Sequence, residues 1–172
     1  MSKRIVVFID GSNFYHSIKL SFNKTNVDIT KFITYLSQDN NLIVIKYYSA
    51  AINQFDDLEE YKKQQKYFDY LNKVKRLDLY LGRLEKRPNS HKVEKGVDVK
   101  LAIDLLSLAY HDIYDIAIII SNDSDFVPAI KEIQNLGKQA YNVSFPATKC
   151  YHLNKVCDKT IKINNIDNFL KL

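Results

Sequence analysis

Short runs of β-branched and other apolar residues recur along this chain, and a longer stretch of helical periodicity follows each one. That alternation limits the fold more than any other feature. Residues 4–9, 42–49, 77–82 and 115–121 read as strands, with a weaker strand at 138–143 after Gly137. Their apolar residues run on without alternating with polar ones, which suits strands covered on both faces. Between them, helical patterns occupy 12–21, a segment capped by Asp28 or Thr30 and running to about 37, and then 55–75, 97–110 and 124–136. In 55–75 the residues Phe55, Leu58, Tyr61, Phe68, Leu71 and Val74 form one stripe, and Lys62, Lys63, Lys66, Lys73 and Lys75 form a solvated opposite face. The 97–110 segment is apolar nearly all round, as in a helix pressed against a sheet. Pro128 falls in the first turn of the last helix, where a missing N–H costs nothing, and Gly137 ends it. Strand–helix alternation of this kind predicts an α/β fold: a three-layer α/β/α sandwich with a mostly parallel central sheet. Residues 83–95 read as a polar loop around Pro88-Asn89-Ser90, and the tail from 158 as a short strand and a final helical turn.

At 172 residues the chain is one domain by length, with a core over about 3–145 and a C-terminal extension, 146–172, packing on it. A chain of this size buries about 70% of its unfolded surface, so neither a metal nor a disulfide is needed for folding. Its two cysteines, Cys150 and Cys157, read as reduced thiols. With His152 between them they lack a fourth zinc ligand. Ile5–Ile9 is too short for a signal-peptide core, and no run approaches a membrane span. A soluble, cytoplasmic protein with no room for a targeting module is expected. The net charge of +5 is mild and admits an anionic partner without requiring one.

Ligands of open parallel sheets bind beyond the carboxyl ends of the strands. Asp10-Gly11-Ser12-Asn13 follows the first strand and Asn122-Asp123-Ser124-Asp125 follows the 115–121 strand. Asp98 opens the 97–110 helix. Taken singly, each acid has a structural explanation: a turn, a helix cap, or the positive end of a helix. Taken together, carboxylates converging on one edge raise one another's pKa. A hard divalent cation resolves that repulsion, and Mg²⁺ characteristically joins one or two carboxylates with waters and a phosphate. The residues alone therefore point to metal-dependent phosphate chemistry, with Asn13 and Ser12 placed to orient water or a phosphate oxygen.

The same residues resemble the motifs of the NYN domain, in order and in separation. Phe8-Ile9-Asp10-Gly11-Ser12-Asn13-Phe14 is similar to the opening signature. Lys95-Gly96-Val97-Asp98-Val99, with Leu101 to Leu106 after it, is similar to the central motif. Ser121-Asn122-Asp123-Ser124-Asp125-Phe126-Val127-Pro128 is similar to the third. The nearest group is the LabA-like branch, within the PIN-like nuclease superfamily. The resemblance implies a PIN-like sandwich and a ribonuclease dependent on Mg²⁺ or Mn²⁺. Asp10, Asp98, Asp123 and Asp125 would be its metal-binding and catalytic acids, and Asn13 its polar helper. RNA would be the partner; apart from the resemblance, a homodimer or protein partner and no membrane are expected. One position departs: Asn122 stands where the family usually has Gly. Asn is the next-best residue for a left-handed turn, so the turn is expected to survive.

Arg83, Lys86, Arg87, His91, Lys92 and Lys95 concentrate positive charge in the stretch leading to Asp98. Of these, Arg83, Arg87, Lys92 and Lys95 are expected to hold an RNA backbone; the bland alternative is a solvated loop that Glu85 and Glu94 partly neutralise. Tyr15 is a candidate for stacking on a base, although tyrosines in such patterns usually pack in the core. Asp104 sits six positions beyond Asp98 and does not share its helix face. A haloacid-dehalogenase-like phosphatase would need a second Asp where Ser12 stands, and no glycine-rich nucleotide loop occurs. A non-catalytic RNA-binding member of the same fold is the remaining alternative.

Overall fold

The computed structural model describes residues 2–86, 92–148 and 150–171. Among them are strands β1 (Arg4–Asp10), β2 (Asn41–Ala50), β3 (Leu77–Lys86), β4 (Lys92–Lys95), β5 (Ile116–Ile120), β6 (Gln139–Ser144) and β7 (Lys159–Lys162). The helices are α1 (Gly11–Phe22), α2 (Ile29–Ser37), α3 (Leu58–Leu71), α4 (Val97–Tyr110), α5 (Val127–Asn135) and α6 (Tyr151–Val156). One sheet runs in the order β4-β3-β2-β1-β5-β6-β7. Every pairing is parallel except β3 with β4.

Two cores explain the layers. In β1 the odd residues Ile5, Val7 and Ile9 pack with α1, α2 and α3, through Phe14, Phe32, Ile33, Phe68 and Leu71. The even residues Val6 and Phe8 pack with α4, α5 and α6, through Leu101, Leu105, Ile130, Ile133 and Leu153. Ile5 to Ile9 and Ile116 to Ile120 are at most 2% exposed, so both central strands are apolar on both faces, as their unbroken hydrophobic runs require. Each such isoleucine contributes about 1.5–3 kcal/mol on burial.

Three segments differ from the sequence expectation. The supposed polar loop 83–95 is a hairpin arm: β3 continues past Gly82, where its pairing with β2 stops, and Arg83–Lys86 pair only with β4. Its charged residues hid the strand, although Leu84 packs against the core on the α4 side. The third helix begins at Leu58, not 55, because the Asp57 carboxylate accepts from the Glu60 N–H at 3.0 Å and caps it there. Phe55 therefore lies outside the helix, 86% exposed, and leaves the predicted stripe. The short helix α6 had no periodic signal at six residues.

The C-terminal segment is woven into the sheet. β7 pairs with β6, and beyond it the Asp28 N–H donates to the Phe169 carbonyl at 2.6 Å while Phe169 packs edge-on to Phe32. Among the described residues no helix is long and apolar enough to cross a membrane. Cys150 and Cys157 are free thiols.

A carboxylate crevice at the sheet's switch point

From β1 the chain builds the sheet in one direction through β2 and β3, and from β5 in the other through β6 and β7. The strand order thus reverses between β1 and β5. Helix α1, which follows β1, lies on one face, and α5, which follows β5, lies on the other. The edge between their first turns is where open α/β sheets bind ligands.

Asp10 ends β1 at this edge and is 3% exposed. It is also the N-cap of α1, so the structural explanation of this residue is real. Its Oδ1 accepts from the Asn13 N–H at 3.1 Å, and its Oδ2 accepts from Asn13 Nδ2 at 2.6 Å. Ser121 Oγ donates to the same Oδ2 at 3.0 Å. The β1–β5 register pairs Ile9 with Ile120, which carries Asp10 and Ser121 off the two strands side by side. Ser121 is a site residue that motif spacing alone did not single out, although that register is its signal. Burial raises the Asp10 pKa, against the hydrogen bonds from Asn13 and Ser121 that lower it. Gly11 is required by close approach: a Cβ there would sit 2.5 Å from the Tyr47 ring and 2.7 Å from the Tyr48 carbonyl oxygen.

Asp98 lies in the first turn of α4, two residues beyond the N-cap Gly96, whose φ of +83° suits glycine. Although Asp98 is exposed, partial shielding of its carboxyl raises its pKa, and the charges of Asp10, Asp123 and Asp125 raise it further. All four acids therefore lie within electrostatic reach at the crevice. Asp123 Oδ1 also accepts from the Asp125 N–H at 2.9 Å and caps the 3-10 turn Ser124–Phe126, again joining a structural role to the acidic edge. Among the described residues no lysine or arginine forms an ion pair with any of the four. Equally, no three His, Cys, Asp or Glu side chains among those residues stand close enough to hold a metal ion between them. The donor set is nonetheless all hard oxygen. It fits a cation that takes one or two carboxylates and keeps water for its other positions, as Mg²⁺ does.

Asn122 corrects one expectation. It has no left-handed backbone; among the described residues the positive-φ ones other than Gly are Asn23, Gln38, Arg76 and Asp112. Its side chain turns back from the crevice: Nδ2 donates to Ser17 Oγ at 2.8 Å, and Oδ1 accepts from the Cys150 thiol. The turn bearing Asp123 is thereby fastened to α1 and to the start of α6. Asp104 is likewise occupied elsewhere, accepting from Tyr48 Oη at 2.9 Å and from Lys100 Nζ at 2.6 Å.

The basic residues divide. Arg83 and Lys95 are exposed and face each other across the arm's β3–β4 register. With Tyr80 and Gly96 they border an open hollow of about 600 Å³ beside the start of α4. Lys92 is placed by its backbone in β4, and Arg87 lies outside the described residues. Ser12 and Tyr15 belong to a different hollow, on the α1–α3 side.

Comparison with known proteins agrees with the fold. The NYN domain family model matches residues 4–164, so the chain belongs to the NYN domain family, a family of PIN-like nucleases. The match extends beyond residue 145, through β7. A crystal structure of a protein of unknown function from Vibrio parahaemolyticus superposes with a TM-score of 0.78 at 22% identity, covering 99% of this chain and 97% of that one. At that identity the likeness speaks for the fold. No curated protein matches the chain.

Proposed function

We propose that this protein is a ribonuclease of the LabA-like branch of its family, dependent on Mg²⁺ or Mn²⁺. The observation that carries the reading is four carboxylates sharing one electrostatic crevice at the switch point, none paired with a protein cation among the described residues. A fold does not normally leave a buried acid such as Asp10 beside other acids without compensation. Asp10, Asp98, Asp123 and Asp125 would hold the cation. When bound, such a cation lowers the pKa of water and neutralises charge growing on a phosphodiester during in-line displacement. Asn13 and Ser121 hold both Asp10 oxygens in fixed directions, which keeps the acid from collapsing onto another partner. Arg83, Lys95 and Lys92 of the arm, together with Arg87, would hold phosphates on either side of the reacting one. Like charges set opposite each other on a hairpin cost stability, so the Arg83–Lys95 pairing favours a polyanion above it. Ser12 and Tyr15 would contact the strand on the other side of Asp10. The cytoplasm is the expected compartment.

The test is cleavage of single-stranded and structured RNA with Mn²⁺ or Mg²⁺ by wild type and Asp10→Asn. Cleavage by wild type alone supports the reading, and equal rates remove it. RNA binding without cleavage by either would favour the second reading, a non-catalytic RNA-binding domain, for which the absence of a tight ligand cluster among the described residues is the supporting observation.

A further inference from the structure

On the α1–α3 side of the sheet, the residues directly after Asp10 open onto a second cavity, of about 570 Å³. Its walls are aromatic: Phe14 and Tyr15 from α1, Tyr47 from β2, and Tyr67 and Phe68 from α3. A cavity of this size, mostly apolar with a few polar groups at its mouth, is of the kind that takes a small planar ligand. The walls are held rigid. Tyr67 Oη donates to Tyr47 Oη at 3.3 Å, with the two rings 6.1 Å apart and edge-on. Gln64 fastens α3 to the end of β2, donating to the Ala50 carbonyl at 3.0 Å and accepting from the Ile52 N–H at 2.8 Å.

The lining also carries the Glu60–Lys63 ion pair and two serines, Ser12 and Ser49, and among the described residues neither serine hydroxyl has a hydrogen-bond partner. Tyr15 stands at the rim, 44% exposed, with the Lys19 ammonium 5.8 Å from the centre of its ring. An aromatic pocket with free hydroxyls at its mouth and a cation at its lip matches a nucleobase, its ribose and the adjoining phosphate, in that order outward. The pocket begins at Gly11 and Ser12, one and two residues from the buried carboxylate, so a strand whose phosphate lies at the crevice brings a neighbouring base to it.

We propose that this cavity is a base-binding subsite, which takes one unpaired nucleobase next to the reacting phosphate and so restricts the substrate to strands unpaired at that position. The proposal rests on the reading of the crevice as an RNA-cleaving site. A duplex keeps its bases paired and stacked, so neither face is free for the aromatic walls.

The test is binding of the full chain to a short single-stranded RNA in EDTA, where no cleavage occurs. An abasic residue is placed at each position in turn. One abasic position is expected to weaken binding about tenfold, the effect of losing one stacked base, with little change elsewhere. Tyr15→Ala is expected to abolish that penalty, and its exposed position leaves the fold intact. A 2-aminopurine at the sensitive position should lose fluorescence on binding. A flat abasic profile, the same penalty in Tyr15→Ala, or equal affinity for the fully paired duplex overturns the subsite. Cleavage with a flat profile removes the subsite and leaves the nuclease. The abasic signature without cleavage in Mn²⁺ removes the nuclease and leaves the subsite.

Discussion

The two ends of the central strands carry acids in opposite circumstances. At the amino end, Asp115 accepts from both the backbone N–H and the guanidinium of Arg4, at 2.8 and 2.7 Å. Asp112 is shared between Arg4 and Lys138. Those hydrogen bonds and charges hold Asp112 below the ordinary carboxylate range and pull Asp115 down to about 2. At the carboxyl end, Asp10 and Asp98 are pushed the other way by burial and by their acidic neighbours. The same residue type thus meets cations at one end and, among the described residues, only neutral hydrogen-bond donors at the other. The contrast marks the carboxyl end as the place where the proposed chemistry is expected.

The largest break in this contrast is Asp10→Asn. It keeps the side-chain oxygen that caps α1 but removes the charge. RNA cleavage in Mn²⁺ is expected to fall at least about 100-fold, the worth of a few kcal/mol of metal-assisted stabilisation. The same variant should lose the rise in Tm that Mn²⁺ gives wild type, because a ligand stabilises only the state it binds; thermal melts with and without EDTA check this.

Next comes the arm. Arg83→Ala and Lys95→Ala should each weaken RNA binding for all sequences alike and lower the salt slope of log K by about 1, measured by titration across salt concentrations. Unchanged slopes would mean that the arm is solvated and nothing more.

A smaller effect separates the two ends by pH. The folded Asp115 has a pKa below its ordinary value of 3.8, so its stabilisation is present above that value and is lost as pH falls toward about 2. Asp10 and Asp98 have raised values, so ionising them opposes folding, and the metal-free protein gains stability as pH falls from neutral toward the carboxylate range. Urea midpoints in EDTA should therefore rise on mild acidification and fall in strong acid. Asp10→Asn should flatten the first limb and Asp115→Asn the second.

The smallest expected effect is Asn122→Gly, which removes the ties to Ser17 and Cys150 and should cost about 1 kcal/mol in urea unfolding. A loss of cleavage larger than that loss of stability would show that the ties orient Asp123 as well.

Much of this was legible beforehand. The strands β1 and β5 announced themselves because burial on both faces demands unbroken apolar runs, and β2 did so by its β-branched residues. The acids were legible because they follow strand ends, where ligands of such sheets bind. The arm was not legible, since Leu84 and Val93 are too few among its charged residues to show a hydrophobic period. Nor was the pairing of Asp10 with Ser121, which lie 111 positions apart in the chain and meet only through the β1–β5 register. At Asn122 the sequence points to the backbone, whereas the side chain plays its part, through Ser17 and Cys150.

By itself, then, the sequence determined the layers and the parallel sheet and pointed to a set of acids, because each follows from local periodicity or from residue type at strand ends. Only the tertiary structure decided which acids would go without a cation, where the arm would stand, and that an aromatic cavity would open behind Asp10. Those outcomes depend on which strands become neighbours and in what register, a choice made by the packing of the whole sheet between its two helical layers.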